Sequence, residues 1–283
     1  VLKGSGPHGR IIARDVEASK PAPMAATTPQ RAPAAAGMPD EMVLKLYEPG
    51  TYEIEPHDGM RKIIASRLVL AKQTIPHFYL TISCTLDALL AVREKLNAHA
   101  PQDKQKNPLW KLSVNDFVIK SMALALQRVP DANVTWTEAG MLKHKASDVG
   151  VAVAIEGGLF TPIIRKAETK TLTQISAEMK DLAARARKRR LAPHEYQGGT
   201  TAISNLGMYG IQEFSAVINP PHATILAVGA GEKRAVVEND NVVVRTMMTV
   251  TLSCDHRAVD GALGSELLRA FKSYIEDPAL MLA

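Results

Sequence analysis

The chain has 283 residues and a hydrophobic content of 46%, enough for one large core plus appendages. Its formal net charge of +5 is mild, and no basic stretch interleaved with aromatic residues accompanies it, which argues against a nucleic-acid ligand. Two cysteines, Cys84 and Cys254, give no disulfide framework, and no apolar run approaches a membrane span, so a reducing compartment without membrane contact is expected. The chain opens at Val1 rather than Met, and further segments upstream are expected.

Val1 to Val16 is too short to bury a core and reads as a flexible basic terminus. From Ala18 to Asp40 the composition shifts to Ala and Pro, as in Lys20-Pro21-Ala22-Pro23 and Arg31-Ala32-Pro33-Ala34. Such a segment cannot offset its ordering entropy and should be an extended linker. Gly59 to Lys72 has helical periodicity, with Ile63, Ile64, Leu68 and Ala71 on one side, and Pro76 stops it. His77 to Thr85 then alternates as a strand. Leu86 to Ala98 is a second amphipathic helix. Ser113 with Asp116 forms a capping-box pattern opening a helix to about Arg128, before Pro130. This order of helix, strand, helix, helix predicts a mixed α/β domain.

Val149 to Arg165 reads as a hairpin turning at Gly157-Gly158. Thr171 and Gln174 open a capped helix to about Arg190, whose end, Arg185 to Arg190, is strongly basic. Cations suit a helix C-terminus; the alternative is a phosphate-rich ligand or an acidic partner. Gly198 to Gly210 is a short β-branched run that ends in Ser204-Asn205 and turns at glycines. Ser204 is either a turn-capping serine or a hydroxyl that donates to an oxyanion.

Met248 to Leu252 reads as a buried strand, and Ala262 to Phe271 as a helix. Between them, His256 stands where a strand ends and a helix begins. It offers a group that exchanges protons near neutral pH, and Asp260 four residues on adds a fixed negative charge. The plainer reading makes Asp260 a helix N-cap and His256 an ordinary strand-end residue. A metal site at Asp255, His256 and Asp260 lacks a second His or Cys at ligand spacing. Cys254 is badly placed for activation by His256. His77 reads as structural. The apolar Pro278-Ala279-Leu280-Met281-Leu282 either docks on a neighbouring chain or finishes its own helix.

Asp255-His256-Arg257-Ala258-Val259-Asp260-Gly261 resembles the His-x-x-x-Asp-Gly signature of the acyltransferase (E2) components of 2-oxo acid dehydrogenase complexes, which chloramphenicol acetyltransferases share. The likeness continues through Met60 to Leu68, Thr74 to Leu80, Gly158 to Pro162, Ser204 to Gly210, Phe214 to Pro221 and Ile225 to Gly229. It covers nearly everything from Tyr52 to Ala283. The variant Ser204-Asn205-Leu206-Gly207-Met208 resembles the acetyl-transferring chains of pyruvate dehydrogenase complexes. Gly4 to Ile11 is similar to the loop of the family's peripheral subunit-binding domain.

The resemblance implies a chloramphenicol acetyltransferase-like mixed sheet flanked by helices, in chains that form trimers. It implies a partial subunit-binding domain over residues 1–17, an Ala/Pro-rich linker over 18–48 and an acyltransferase domain over 49–283. The reaction implied is acetyl transfer between dihydrolipoamide and coenzyme A, with His256 as base, Asp260 holding its loop and Ser204 stabilising the tetrahedral intermediate. Arg61, Arg67 and Asn205 would support the site: Arg61 or Arg67 either pairs with Asp260 or belongs to a solvated helix face. His256 would come from one subunit and Ser204 from the next. The lipoyl group would arrive on a domain outside this sequence, since no lipoyl-type lysine hairpin is found here. The trimers would build a cubic or icosahedral core and bind the E1 (pyruvate dehydrogenase) and E3 (dihydrolipoamide dehydrogenase) components. The compartment would be the bacterial cytoplasm or the mitochondrial matrix. Three rivals remain: an E2 for another acyl group, a structural core protein of E2 type, and a free acetyltransferase acting on a hydroxyl.

Overall fold

A computed structural model describes residues 5–10, 13 and 37–282. The chain divides into two units, Val1–Pro56 and His57–Ala283. In the first, Pro7–Gly9 forms a 3-10 turn closed by the Gly6 N–H donating to Arg10 O. The expected linker lies outside the described residues up to position 36. At its end the structure differs from an extended chain: Asp40–Leu44 is a short helix, α1, with no buried residue. Asp40 and Glu41 in its first turn suit the positive end of the helix dipole.

The second unit is built on a six-stranded mixed sheet. Helix α2, Gly59–Thr74, starts at Asp58, whose carboxylate accepts from Arg61 N–H. Of the apolar side expected for it, only Ala71 is buried; Ile63 and Leu68 are exposed. The periodicity is real, but among the described residues nothing covers Ile63 and Leu68 on that face. Strand β1, His77–Thr85, follows, then α3, Asp87–Ala98. The capping box at Ser113 and Asp116 forms as expected and opens α4, Val114–Arg128, buried along nearly its whole length.

A small ribbon, β2 (Val134–Thr137) and β3 (Gly140–Lys143), comes next. The expected hairpin is split into four pieces, β4 (Val149–Val151), β5 (Val153–Ile155), β6 (Gly158–Phe160) and β7 (Ile163–Ile164). Strands β5 and β6 pair with each other, whereas β4 and β7 join the main sheet. Pro162, which has no N–H to give a ladder, marks the break between β6 and β7. Thr171 and Gln174 cap α5, which runs from Leu172 to Arg187, three residues short of the expected end; Arg189 has φ 53° and ends the helical path. The short α6, Pro193–Tyr196, leads to β8, Thr201–Asn205.

Strands β9 (Thr224–Glu238) and β10 (Asn241–Asp255) form a hairpin far longer than the two short runs visible in the sequence. Asn239 and Asp240 both have positive φ, which lets two residues close it. Helix α7, Gly261–Glu276, completes the unit. The sheet order is β1-β10-β9-β8-β4-β7, with β8 parallel to both β9 and β4 and the other pairs antiparallel.

Register sorts the two faces. Met248, Val250, Leu252 and Cys254 lie opposite Cys84, Ile82, Leu80 and Phe78, and this face packs on the main core with α4 and α7. Thr249, Thr251, Ser253 and Asp255 lie opposite Ser83, Thr81, Tyr79 and His77 on the other face. The segment 214–218 covers that polar face. Ala216 and Ile218 pack there against Ala202, Ile225 and Ala227, and Ala216 O accepts from Ser253 Oγ at 2.7 Å. Among the described residues, no helix is long and apolar enough to cross a membrane.

Candidate active site

His256 is the first residue beyond β10. Its N–H donates to Pro76 O at 3.0 Å, and its ring stands edge-on to Phe78 with centroids 5.0 Å apart. The side chain is exposed, and neither ring nitrogen has a hydrogen-bond partner among the described residues. The turn that presents it is tightly held. Ala258 N–H and Val259 N–H both donate to Asp255 O. The Asp255 carboxylate is 2% exposed and accepts from Arg257 N–H, Nε and Nη2 at 3.1, 2.9 and 2.7 Å. That carboxylate raises the already high pKa of Arg257, so the guanidinium stays charged. The same guanidinium lies 5.1 Å from the Trp136 ring centroid, a cation–π contact. Sequence reading missed Asp255, Arg257 and Trp136 as a group; Trp136 is distant in sequence and gave no local signal.

Asp260 is the N-cap of α7, accepting from Leu263 N–H at 2.9 Å. Arg61 and Arg67 do not pair with it within the chain. Both are exposed, and neither takes part in an ion pair among the described residues. The ion pair at this turn is instead Arg257 with Asp255.

Ser204 stands near the end of β8, half-buried, with no hydrogen bond to its Oγ among the described residues. Asn205 beside it is held at both ends of its amide. Its Oδ1 accepts from Gly207 N–H at 2.9 Å, and its Nδ2 donates to Asn115 Oδ1 at 3.1 Å. Gly207 is required there, because a Cβ would stand 2.6 Å from Gly229 O.

Ser204 and His256 do not meet within one chain. Ser204 is in register with Ala227, and Ala227 with Thr251, five residues before His256. Five steps of about 3.4 Å along a strand and two strand spacings of about 4.8 Å separate them by roughly 20 Å. They also face opposite sides: Ser204 shares the Thr251 face, whereas His256 packs on Phe78 of the other.

The nearby cysteine is not a usable nucleophile. Burial, and then Asp255, push the Cys254 thiol up to about 12. His77 is structural, as expected. Its Nε2 accepts from Ile218 N–H at 3.0 Å, so its Nδ1 carries the proton and donates to Ile75 O. His222, unremarked in the sequence, is 3% exposed and is paired to Gly198 O at 2.9 Å, ahead of β8. Burial lowers its pKa.

A mixed sheet with a histidine after one strand and a hydroxyl at the end of another is the frame of an acyl-transfer fold. The chain belongs to the family of 2-oxoacid dehydrogenases acyltransferase (catalytic domain), whose profile matches residues 49–283. It is 63% identical over 287 residues to the dihydrolipoyllysine-residue acetyltransferase component of the pyruvate dehydrogenase complex from Rhizobium meliloti, covering 99% of this chain and 64% of that protein. The chain thus spans less than two thirds of that relative.

Among solved structures, a dihydrolipoamide acetyltransferase from Azotobacter vinelandii has a TM-score of 0.80 at 28% identity, covering 88% of this chain and 100% of that one. That work addressed the role of a serine, a histidine and an asparagine in catalysis, the last two four positions apart. The cubic core of a pyruvate dehydrogenase multienzyme complex matches with a TM-score of 0.80, 28% identity and the same coverage.

Proposed function

We propose that this chain transfers an acetyl group between dihydrolipoamide and coenzyme A, as the core acyltransferase of a pyruvate dehydrogenase complex, at a site built between two subunits. The roughly 20 Å between Ser204 and His256, on opposite faces of one sheet, carries this reading. Each chain presents the Ser204 hydroxyl and the His256 imidazole, neither hydrogen-bonded among the described residues, and its own fold keeps them apart. A ring of subunits in which each lends Ser204 to its neighbour's His256 satisfies both, and a closed trimer does this with one repeated contact. The exposed apolar side of α2, with Ile63 and Leu68, offers surface for such a contact. The likeness to a cubic core supports further assembly of trimers.

In the reaction, a thiol becomes nucleophilic only on losing its proton. His256, whose ring nitrogens have no hydrogen-bond partner among the described residues, takes that proton as the coenzyme A sulfur attacks the acetyl thioester carbonyl. Ser204 Oγ donates to the oxyanion that forms. The intermediate collapses, the bond from carbon to lipoyl sulfur breaks, and His256 returns the proton to the departing thiolate. No acetyl-enzyme is needed. Asp260 holds the loop by capping α7. The Azotobacter protein was studied at a histidine and an asparagine with the same spacing as His256 and Asp260. Asn and Asp are equally good N-caps, which supports a role for Asp260 through geometry rather than charge.

Coenzyme A is a substrate, and the lipoyl group comes on a separate domain. We assign residues 1–17 to a partial subunit-binding domain that contacts E1 and E3, 18–48 to a linker and 49–283 to the acyltransferase. The compartment is the bacterial cytoplasm or the mitochondrial matrix.

The test is complementation between inactive subunits. His256→Ala and Ser204→Ala chains are unfolded together, mixed in equal amounts and refolded, and acetyl-CoA-dependent acetylation of dihydrolipoamide is measured. In a trimer, every mixed particle has one interface with both native residues, so about a quarter of wild-type activity returns. No recovery from assembled mixed particles would refute the shared site.

A further inference from the structure

We propose that Asn115 is a positioning residue for catalysis, setting the aim of Ser204 through Asn205; this rests on Ser204 acting as the oxyanion donor. Three observations converge. First, strand alternation turns the Ser204 side chain to the polar face and Asn205 to the face of the main core, where Asn205 lies opposite Val228. Asn205 is therefore the residue through which the core can grip this strand end.

Second, that grip is directional. Asn205 Oδ1 accepts from Gly207 N–H, which sets its amide orientation, and leaves Nδ2 to donate to Asn115 Oδ1 at 3.1 Å across 90 residues of sequence. An amide with both ends engaged resists rotation, and so does the backbone it hangs from. Third, Asn115 sits on a rigid support. It is the second residue of α4, whose N-terminus is locked by the Ser113–Asp116 capping box and whose next turns are fully buried. The same helix packs against α7, the helix that Asp260 caps, so one element braces both strand ends.

Placement of an oxyanion donor matters to catalysis within fractions of an ångström. Asn115→Ala removes the acceptor, and Ser204 loses its fixed direction. Asn115→Asp keeps an Oδ1 for Asn205 Nδ2 and places a carboxylate in the first helical turn, where it is favourable.

The experiment is a double-mutant cycle in the assembled protein, with acetyl-CoA and dihydrolipoamide as substrates. Asn115→Ala is expected to lower kcat about 10-fold, a part of the roughly 10²-fold loss for one missing oxyanion donor, with KM for acetyl-CoA unchanged. Asn115→Asp should restore kcat to within about twofold of wild type. In a Ser204→Ala background, Asn115→Ala should have no further effect, because the group it aims is gone. An equal kcat loss in both backgrounds, a loss confined to KM, or a wild-type rate for Asn115→Ala would each overturn the proposal. Wild-type activity of Ser204→Ala alone would instead sink the underlying assignment of Ser204. If Asn115→Ala fails to assemble, Asn115→Leu is used in its place, since it keeps the side-chain size without charge and loses the acceptor for Asn205 Nδ2; it should show the same dependence on Ser204.

Discussion

The two strand ends that carry the free side chains are built on different physics. At His256 the turn is tied by charge. The buried carboxylate of Asp255 takes three hydrogen bonds from Arg257, and that guanidinium lies over Trp136. At Ser204 the turn is tied by neutral amides, from Asn205 to Asn115 and to Gly207. Under the proposed roles, the difference follows from what each end must leave free. A base needs its imidazole unengaged and projecting, so the neighbouring residues carry the restraint. A hydroxyl donor needs a fixed direction and no fixed charge beside it that would compete for the oxyanion. The charged turn should fail when a partner is removed, and the neutral turn when an acceptor is lost.

The largest effect separates the two ends outright. His256→Ala should lower acetyl transfer by about 10³-fold, within the range for loss of a general base, while particle size by sedimentation is unchanged. Ser204→Ala should lower kcat by about 10²-fold. If Ser204→Ala were the more damaging of the two, the division of labour drawn above would be wrong.

Next comes the brace on the charged turn. Arg257→Met leaves the Asp255 carboxylate buried and unpaired, and should lower unfolding free energy in urea by about 2 kcal/mol at fixed protein concentration. No change would mean that Asp255 finds another partner. A smaller loss is expected at the helix cap: Asp260→Ala should cost about 1 kcal/mol, and Asp260→Asn only a few tenths. An equal loss for Asn and for Ala would show that charge, not capping, is what matters at this position.

The smallest effect is a pH dependence at His222, just ahead of β9. Burial depresses His222, with His144 nearby adding to the shift, so the unfolded chain takes up the proton first. The stability tied to neutral His222 is present above about pH 6.5 and is lost as pH falls below that value. The thermal midpoint should therefore drop between pH 7 and pH 5, and His222→Gln, which can still donate to Gly198 O, should shrink that drop. An unchanged slope would assign the acid sensitivity to other groups.

Much of this was legible locally. The capping boxes at Ser113–Asp116 and Thr171–Gln174, the β1 run from His77 to Thr85 and the strand-to-helix junction at His256 each depend on residues within one turn or one strand. The apolar side of α2 was also correctly seen as apolar, but periodicity tells which side is greasy and not what will cover it. The length of the β9–β10 hairpin was missed because its outer arms, with exposed Val237, Val242 and Val244, pair with each other beyond the end of β1 instead of following a core pattern.

The sequence by itself determined which residue types could do the chemistry and where each element starts, because helix caps, strand alternation and turn residues act over a few positions. Only the tertiary structure decided that the ion pair at the His256 turn is Arg257 with Asp255 and not Arg61 or Arg67 with Asp260, that Asn115 meets Asn205, and that Ser204 and His256 stand on opposite faces about 20 Å apart. Those are contacts across 90 residues or choices among several arginines and carboxylates. They are settled by sheet register and by burial, which no short window of sequence contains.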